Sequence, residues 1–437
     1  MGEAGARKIV DHLREHGFEA YYAGGCVRDR LLGLEPHDYD VATNASPDQV
    51  QALFSRTLAV GAQFGVVIVL DEDQEFQVAT FRADGAYIDG RHPEGVVFTT
   101  AEGDALRRDF TVNGLFYDPI AERVIDFVGG QGDLEKHVIR AIGDPSARFT
   151  EDKLRLLRGV RFAATLDFEF DPETWEALRL HAPDIHQVSA ERIREELVKI
   201  FTSPSRVRGF DLLDASGLIQ ELLPELAATK GCEQPPEFHP EGDVFVHTRL
   251  MLSLLQEPVS PALAFSVLFH DIGKPPCFKV DATGRIRFNG HEHVGAEMTE
   301  KIMTRLRFSN HEIDDTVEMV RHHMAFKDVQ NMRIAKLKRF MARRTFPEEM
   351  ELHRVDCLSS HGMLDNYAFL REREAAFAHE PLIPPRLVTG DDLVSLGWKP
   401  GPVFKLVLDA VQNRQLENAF SSREEAIDWV KHNYPSS

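Results

Sequence analysis

The sequence predicts a multidomain protein in which an α+β head is followed by mostly helical domains. With 437 residues, 43% of them hydrophobic, the chain is long enough for several domains with substantial cores. Residues 1–140 mix short β-type runs, such as the apolar stretch at 66–70, with short amphipathic segments. The clearest apolar periods after residue 140, at 154–161, 262–269 and 403–413, have helical spacing.

The composition excludes several classes of protein. The formal net charge is −20, so an enzyme acting on a polyanion would have to gather its positive potential locally. The four cysteines lie far apart without a Cys-x-x-Cys pair, which argues against a zinc knuckle or a disulfide framework and indicates a reducing cytoplasm. The first residues form a charged amphipathic pattern rather than a signal peptide. No apolar run approaches the ~20 residues needed to span a membrane.

A glycine pair followed by an aspartate pair carries the strongest chemical signal. Gly24 and Gly25 follow an apolar stretch and open a helical segment, which predicts a turn whose backbone N–H groups close on phosphate oxygens. Asp38 and Asp40 then precede the apolar residues at 41–43, and in a strand that spacing puts both carboxylates on one face. There they can share divalent cations. Either half alone is typical of a surface turn, but together they indicate phosphoryl or nucleotidyl transfer.

The combination Gly-Gly-x-Val-Arg-Asp and Asp-x-Asp resembles the signature of the class II tRNA nucleotidyltransferase and bacterial poly(A) polymerase superfamily. The resemblance implies a β-polymerase-like head in which Asp38 and Asp40 are catalytic and hold Mg²⁺. It implies that Gly24, Gly25 and Arg28 bind the nucleotide.

One position departs from the family pattern. Relatives usually carry a third acid in the strand after the Asp pair, where this chain has Gln77. Glu75 lies on the same face two residues earlier.

Two further segments of the head match the resemblance. The polar segment at 84–97 corresponds to the family's flexible loop, which the resemblance links to the change from C addition to A addition. The segment at 107–113 pairs cations with an acid, a composition that suits a triphosphate and a ribose. The resemblance places Arg108 at the nucleotide and Asp109 near the ribose.

A helix carrying Leu154, Leu157 and Val160 as its apolar stripe is predicted next. Asp152 and Arg155 are three residues apart and therefore expected on one face. A row of this kind is typical of salt bridging within a helix. The resemblance implies a protein template for the incoming base, because C and A share an exocyclic amino group that Asp can accept from. The implied nucleotide-binding row is Asp152, Arg155, Arg158 and Arg161.

Basic residues recur in two later segments. The helix predicted at 189–197 resembles the family's neck, and its cations could form one side of an RNA track. These cations are Arg192, Arg194, Lys199, Arg206 and Arg208. The segment at 332–344 is the most basic local run, which could contact tRNA phosphates or be an exposed helix.

A second group of residues has the composition of a metal site. Neighbouring His and Asp are good ligands for a divalent metal, which could activate water. Their order along the chain resembles an HD phosphohydrolase domain and implies a second divalent metal. The predicted ligands are His247, His270, Asp271, His291, His322 (with His323 beside it) and Asp356.

From these motifs we expect five segments. They are a nucleotidyltransferase head at 1–140, a base-recognition neck at 141–205, body helices and linker at 206–240, an HD domain at 241–365 and a C-terminal helical module at 366–437.

The predicted function is template-independent addition of CCA to tRNA 3′ ends from CTP and ATP in the cytoplasm. An enzyme that adds only A remains open. A poly(A) polymerase is disfavoured because its basic pair between Gly and Phe is replaced at 61–64 by Gly-Ala-Gln-Phe. A third alternative is a hydrolase whose HD site is the working centre and whose N-terminal domain only binds RNA. For such a site the resemblance implies 2′,3′-cyclic or terminal phosphates as substrates.

Overall fold

A computed structural model describes residues 2–59, 65–84, 96–237, 239–379 and 381–434 of the chain. The chain divides into two compact units. The first unit contains residues 1–227 and 305–308, and the second contains residues 228–304 and 309–437. Most of the predicted flexible loop at 84–97 and the whole of 61–64 lie outside the described residues. The finer division into five segments stays a prediction.

The first unit begins with an α+β head, as predicted. Its elements are α1 (Gly2–Glu15), β1 (Ala20–Ala23), α2 (Gly25–Leu31), β2 (Asp40–Thr43), α3 (Pro47–Leu53), β3 (Thr57–Leu58), β4 (Val66–Asp71), β5 (Gln74–Thr80), β6 (Arg82–Asp84), β7 (Val96–Phe98), α4 (Ala101–Leu106), β8 (Leu115–Asp118), β9 (Arg123–Asp126), α5 (Gly130–Glu135) and β10 (Val138–Ile139). Seven of the strands form one mixed sheet in the order β3-β4-β5-β2-β1-β8-β9. In it β2 and β5 run parallel, and the other neighbours run antiparallel.

The register of this sheet places the predicted motifs side by side. Ala23, the last residue of β1, pairs with Asp40 on β2 and with Phe116 on β8. The chain then turns at Gly24, whose φ of 73° favours glycine. The glycine turn therefore lies at the middle of the sheet, directly beside the strand that carries Asp40.

Local sequence explains the flanking helices. The apolar face of α1, with Ile9, Val10 and Leu13, is buried, as its periodicity predicts. Ser46 and Gln49 form a reciprocal capping box at the start of α3.

The helical remainder of the first unit corrects one prediction. Its elements are α6 (Pro145–Glu151), α7 (Leu154–Leu166), β11 (Glu169–Phe170), α8 (Pro172–His181), α9 (Ala190–Phe201), α10 (Arg206–Ala215), α11 (Leu218–Leu222) and α12 (Pro224–Ala227). The expectation that Asp152 and Arg155 share one helix face is wrong. Asp152 has extended backbone (φ −140°, ψ 103°) between α6 and α7, and its carboxylate accepts from Leu154 N at 3.1 Å. A short side chain that caps the following helix competes with helix continuation, so the helix breaks there.

The elements that follow are mostly helical. They are α13 (Val244–Leu254), α14 (Pro261–Phe269), α15 (Lys274–Cys277), β12 (Lys279–Val280), β13 (Ile286–Arg287), α16 (His291–Arg305), α17 (Asn310–His322), α18 (Ile334–Met341), α19 (Phe346–Ser359), α20 (Asp365–Phe377), α21 (Gly390–Ser395), α22 (Pro402–Leu416) and α23 (Arg423–Asn433). Every residue of α14 from 262 to 269 is buried, so this helix is central and α13, α17 and α19 pack around it. Across the described ranges, no helix combines the length and apolar character needed to cross a bilayer.

Candidate active site and metal centre

The glycine turn after β1 holds an arginine from a distant segment against its backbone. Gly24 N donates to Leu115 O at 3.0 Å, which fixes the turn to β8. A Cβ at Gly24 would lie 3.0 Å from Nη1 of Arg108, so a side chain there would press on the guanidinium. The predicted nucleotide residues Gly24 and Arg108 are therefore adjacent, although 84 positions separate them.

The two predicted catalytic acids lie where β2 begins. The strand starts at Asp40, so Asp38 precedes it, and the predicted strand covers only the second acid. Burial raises the pKa of Asp40, the positive charge of Arg108 opposes the increase, and the negative charge of Asp38 adds to it. A divalent cation at the two carboxylates would relieve this repulsion, and oxygen ligands suit Mg²⁺. The residues present therefore fit the ion that the family implies.

The head carries a glutamine where relatives carry the third acid. Val41 pairs with Val78 in the parallel register of β2 and β5, so Gln77 is level with Asp40. Gln77 and Glu75 are both exposed on β5.

Asp104, which the motifs did not single out, anchors the basic pair of the segment 107–113. Its Oδ2 accepts from Nε and Nη2 of Arg108 at 3.1 and 3.0 Å, and its Oδ1 accepts from Nη2 of Arg107 at 2.7 Å. Burial raises the pKa of Asp104, but the two guanidinium groups outweigh it and hold the pKa below its usual value. Asp104 therefore stays ionised and fixes the direction of Arg108.

Asn113 links three predicted nucleotide residues. Its Oδ1 accepts from Nη1 of Arg28 at 2.7 Å, and its backbone oxygen accepts from Nη1 of Arg108 at 3.2 Å. Its Nδ2 donates to Oδ1 of Asp109 at 3.3 Å. The sequence placed Asn113 at the end of a motif, but only the fold shows that it joins that motif to α2.

The predicted nucleotide residues Asp109 and Arg158 form an ion pair in which the acid is buried and the arginine is partly exposed. Asp109 is 7% exposed and accepts at Oδ2 from Nε and Nη2 of Arg158, at 2.8 and 2.6 Å. Burial raises the pKa of Asp109. The charge and hydrogen bonds of Arg158 have a larger opposite effect, so the pKa lies below its usual value. This pair joins the head to α7.

The remaining members of the predicted base template also have partners within the first unit. Arg155 donates from Nη1 to Glu151 at 2.7 Å and from Nη2 to Arg107 O at 2.9 Å. Arg161 donates to the buried Glu196 at 2.6 Å. The carboxylate of Asp152 accepts from Nη1 and Nη2 of Arg192, at 3.2 and 2.8 Å.

Phe162 was missed by sequence reasoning because its position on α7 reads as ordinary core. The guanidinium carbons of Arg161, Arg158 and Arg28 lie 4.2, 5.3 and 5.4 Å from the centre of its ring. Cations this close to a ring face are attracted to it. Phe162 therefore gathers arginines from two motifs around one surface.

Most of the predicted neck cations are engaged within the protein. Arg192 binds Asp152, Lys199 lies 3.3 Å from Glu196, and Arg208 donates to Glu169 at 2.6 Å. Arg194 donates to a backbone oxygen at residue 307, and Arg206 is buried. The RNA track along this helix stays a prediction.

In the basic run at 332–344, several cations are also held by neighbouring side chains. Arg343 pairs with Glu349, Arg344 with Asp315, and the Lys338 ammonium lies 5.3 Å from the ring centre of Phe377.

The second unit gathers the predicted metal ligands into one buried cluster, which we call the HD cluster. Nε2 of His247 lies 3.2 Å from Oδ1 of Asp356, and Nε2 of His270 lies 3.0 Å from Oδ2 of Asp271. Nε2 of His291 lies 3.3 Å from Oδ1 of Asp271.

The cluster corrects one predicted ligand, because it contains His323 rather than His322. Nε2 of His323 lies 3.2 Å from Nε2 of His291 and 3.8 Å from Oδ1 of Asp271. The side chain of His322 instead contacts Glu318. Nδ1 of His322 lies 3.0 Å from the backbone oxygen of Glu318 and 3.3 Å from its Oε1. Helix α17 ends at His322 and a 3₁₀ segment starts at His323, so adjacent residues point in different directions.

The electrostatics of the cluster suit a cation. Burial raises the pKa of Asp271, but His270 and Lys274 outweigh it and hold the pKa well below its usual value. Burial lowers the pKa of His323 to about 3, with His291 and His270 adding to the effect. In the described part of the chain, the buried Nε2 atoms of His247 and His270 lie beside the carboxylates of Asp356 and Asp271 but make no hydrogen bond of good geometry. Imidazole nitrogens beside carboxylates are a ligand set for a divalent transition metal.

The HD cluster opens into a cleft of about 980 Å³. Asp271, His291, His323 and Asp356 form part of its wall. Cationic side chains line it as well: Lys274, Arg287 and Lys327. A phosphate ester is therefore a chemically suitable occupant.

Three regions of this chain match models of known protein families. Residues 20–140 match the poly A polymerase head domain, residues 167–230 match the probable RNA and SrmB-binding site of polymerase A, and residues 244–359 match the HD domain.

Named relatives agree with these matches. A CCA-adding enzyme of Limosilactobacillus reuteri (strain DSM 20016) is 42% identical over 49% of this chain and 53% of its own length. One of Streptococcus uberis is 45% identical over 46% of this chain and 50% of its own. The chain thus spans about half the length of these curated relatives.

A solved structure extends the likeness along the whole chain. The Bacillus stearothermophilus CCA-adding enzyme, in complex with CTP, superposes with a TM-score of 0.76 and 25% identity. The superposition covers 98% of this chain and 96% of the other. Along its length this chain thus matches, in order, a poly A polymerase head domain, a probable RNA-binding region of polymerase A and an HD domain.

Proposed function

We propose that this protein adds CCA to the 3′ ends of tRNA from CTP and ATP, without a nucleic-acid template. The observation that carries the proposal is the convergence at the end of β1 of Gly24, Asp40 and Arg108, linked through Asn113 and Asp109 to α7. The CTP bound to the solved relative and the names of the curated relatives support it. The free cysteines and a tRNA substrate fit the cytoplasm.

The head would bind the triphosphate. Mg²⁺ held by Asp38 and Asp40 would lower the pKa of the attacking 3′-hydroxyl and neutralise charge on the leaving pyrophosphate. The N–H of Gly24 already donates to Leu115 O, so Gly24 would shape the turn while the backbone N–H of Gly25 faces phosphate oxygens, with Arg28 and Arg108 as charged donors. Because Asp104 and Asn113 already fix these two guanidinium groups, little side-chain entropy remains to be lost on binding.

The template residues would read the base by exchanging partners. Asp152 now accepts from Arg192, and Arg155 donates to Glu151. With C or A bound, Asp152 would accept from the exocyclic amino group, and Arg155 would donate to a ring acceptor. U and G carry a carbonyl oxygen where C and A carry this amino group, so the Asp152 carboxylate would face another acceptor, which costs affinity. Asp109 would contact the ribose, and Arg158 and Arg161 would stay beside the nucleotide.

The proposal is tested by incorporation on three tRNA transcripts that end at the discriminator base, after C, and after CC. Each transcript receives Mg²⁺ with CTP alone, ATP alone, or both. We expect C, C and A to be added in order, after which addition stops. The double variant Asp38→Ala/Asp40→Ala should lose incorporation and keep tRNA binding.

The same assay separates the alternatives. Addition of A to the CC-ended transcript alone would mean an A-adding enzyme. Unlimited addition of A would mean a poly(A) polymerase. Turnover retained by the double variant would contradict the assignment of the two acids.

A second activity is favoured by the HD cluster and its cleft: metal-dependent hydrolysis of 2′,3′-cyclic or terminal phosphates. A metal bound by the cluster would supply an activated water. The cations lining the cleft would hold the phosphate oxygens. Hydrolysis of 2′,3′-cyclic nucleotides by metal-loaded protein, lost in Asp271→Asn, tests it; equal hydrolysis by Asp271→Asn would refute it.

A further inference from the structure

The four histidines of the HD cluster are all oriented in the same way. Nδ1 of each faces away from the cluster, toward an oxygen that can only accept a hydrogen bond. For three of them this oxygen is a backbone carbonyl three residues earlier: His270 to Val267 at 2.9 Å, His291 to Phe288 at 2.8 Å, and His323 to Val320 at 2.6 Å. Each of these Nδ1 atoms therefore carries a proton, and each Nε2 is left free to bind a metal.

His247 is the exception, because its Nδ1 donates to a carboxylate. Oε1 of Glu241 accepts from it at 2.6 Å, while the hydroxyl of Ser359 is a longer contact at 3.4 Å. Glu241 is 7% exposed, and its other oxygen is buried without a partner in the described ranges. An ionised carboxylate behind an imidazole makes the ligating nitrogen a stronger donor than a neutral carbonyl does.

Glu241 also holds a second imidazole that is outside the predicted ligand set. Oε1 accepts from Nδ1 of His239 at 2.8 Å, and the rings of His239 and His247 are 5.1 Å apart in edge contact. His239 lines the cleft, and its Nε2 is left as the nitrogen that does not face Glu241. One buried carboxylate thus fixes both a metal ligand and a residue of the cleft wall.

We propose that Glu241 is the positioning residue of the HD centre: it locks His247 with Nε2 toward the metal and holds His239 against the phosphate ester in the cleft. This inference rests on the metal-dependent activity proposed above for the HD cluster. The other three histidines need no such residue, because backbone carbonyls three residues earlier, two in helices and one in the turn before α16, already fix them.

The test uses the full-length protein, stripped with a chelator and reloaded with Co²⁺, whose affinity and visible absorption both report on the ligand field. Glu241→Ala removes the lock, and we expect Co²⁺ to bind about 100-fold more weakly; Glu241→Gln keeps an acceptor but loses the charge, and we expect about 10-fold weaker binding with a shifted spectrum. His239→Gln should keep the affinity and spectrum of the wild type but lose hydrolysis.

Glu292→Gln is the matched control. Its carboxylate lies 3.6 Å from Nδ1 of His291, but that nitrogen already donates to Phe288 O. We therefore expect wild-type affinity and spectrum. A wild-type near-UV circular dichroism spectrum of each metal-free variant would show that the chain still folds.

Three other outcomes would each contradict one part of the proposal. If Glu241→Ala and Glu292→Gln give the same affinity and spectrum, Glu241 does not position the centre, and the metal-dependent activity stands. If the wild-type protein binds no Co²⁺ that depends on Asp271, the second activity fails and the inference fails with it. If His239→Gln hydrolyses at the wild-type rate, the role of His239 in the cleft is wrong.

Discussion

Arg28, Arg158 and Arg161 around Phe162 form an arginine-rich surface in the first unit. Its polar groups and those of the HD cluster in the second unit are satisfied in opposite ways. Around α7 the predicted template residues already have charged partners, as Asp109 has Arg158 and Asp152 has Arg192. In the HD cluster, by contrast, the buried Nε2 atoms of His247 and His270 lie beside carboxylate oxygens without a hydrogen bond of good geometry in the described chain.

The difference indicates what each surface binds. A nucleotide offers both donors and acceptors, so a surface of ion pairs can exchange an internal partner for the ligand and keep its charges satisfied at every stage. A metal ion only accepts lone pairs. Its site must therefore bring together nitrogen and carboxylate oxygen atoms whose lone pairs are available. The cost of burying such atoms is offset only when the ion is bound.

The largest expected effect separates the two surfaces by function. Asp40→Asn should lower nucleotide incorporation by at least about 10²–10³-fold, because it removes a charge that acts on the transition state through Mg²⁺. Hydrolysis of 2′,3′-cyclic phosphates should be unchanged. Asp271→Asn should give the reverse pattern, and the exposed Asp48→Asn should change neither. Loss of both reactions in one variant would mean that the two sites are not independent.

The next effect concerns the ion pairs. Arg158→Ala leaves the buried Asp109 without its guanidinium partner and should lower the free energy of unfolding of the first unit by about 3 kcal/mol. Arg179→Ala removes an exposed pair, with 3.5 Å between Nη1 and Glu176, and should change it by less than about 0.5 kcal/mol. Differential scanning calorimetry measures both. Equal effects would show that the α7 pairs are no more than surface charges.

A smaller effect is predicted for pH in the metal-free protein. Burial opposes protonation of His247, but the carboxylates of Asp356 and Glu241 raise its pKa to about 9. This folded value exceeds the unfolded value of about 6.5, so the stabilisation is complete below about pH 6.5 and is lost as the pH rises toward 9. The melting temperature of chelated protein should therefore fall across this window.

Two comparisons sharpen the pH prediction. His323, with its pKa lowered to about 3, is neutral in the folded protein throughout the window, whereas the unfolded imidazole is half protonated near pH 6.5. It therefore adds a slope of opposite sign that disappears above about pH 7.5. His247→Gln should flatten the fall. Metal-loaded protein should show the opposite trend, because protons compete with the metal for Nε2. A fall that His247→Gln leaves unchanged would assign the slope to other groups.

The smallest effect is expected where this chain departs from its family. Gln77→Glu adds an exposed carboxylate level with Asp40, and an added charge of this kind is worth about 1 kcal/mol or less. The Mg²⁺ concentration for half-maximal incorporation should fall by no more than roughly fivefold. Glu75→Gln is the matched control on the same face. A change of about 100-fold in Gln77→Glu would show that the third acid is a metal ligand after all.

The sequence predicted the features that local spacing encodes. The buried stripe of α1, the glycine turn with its Asp pair and the central helix α14 follow from periodicity and turn chemistry. It could not predict the break at Asp152, where a capping side chain competes with an otherwise helical pattern. Nor could spacing choose between His322 and His323, because the choice depends on where α17 ends.

Local spacing could not predict which side chains hold the predicted site residues in place. Asp104 and Asn113 carry no pattern of their own, and their roles appear only when the fold brings α2, α4 and α7 together. Glu241 likewise has no pattern of its own; it follows the predicted linker and lies six residues before the histidine that it holds.

The break between α6 and α7 makes the distance between Asp152 and Arg155, the two proposed base-binding residues, adjustable. Arg155 is carried on a helix, whereas Asp152 is carried on two residues of backbone whose dihedral angles the helix does not dictate. The separation of the two reading groups is thus an independent variable, which small changes at 152–153 can retune while both helices stay intact. Under the proposed function, two bases of different size are accepted and two others rejected, so selectivity would be a property of a short linkage and could evolve without rebuilding the scaffold.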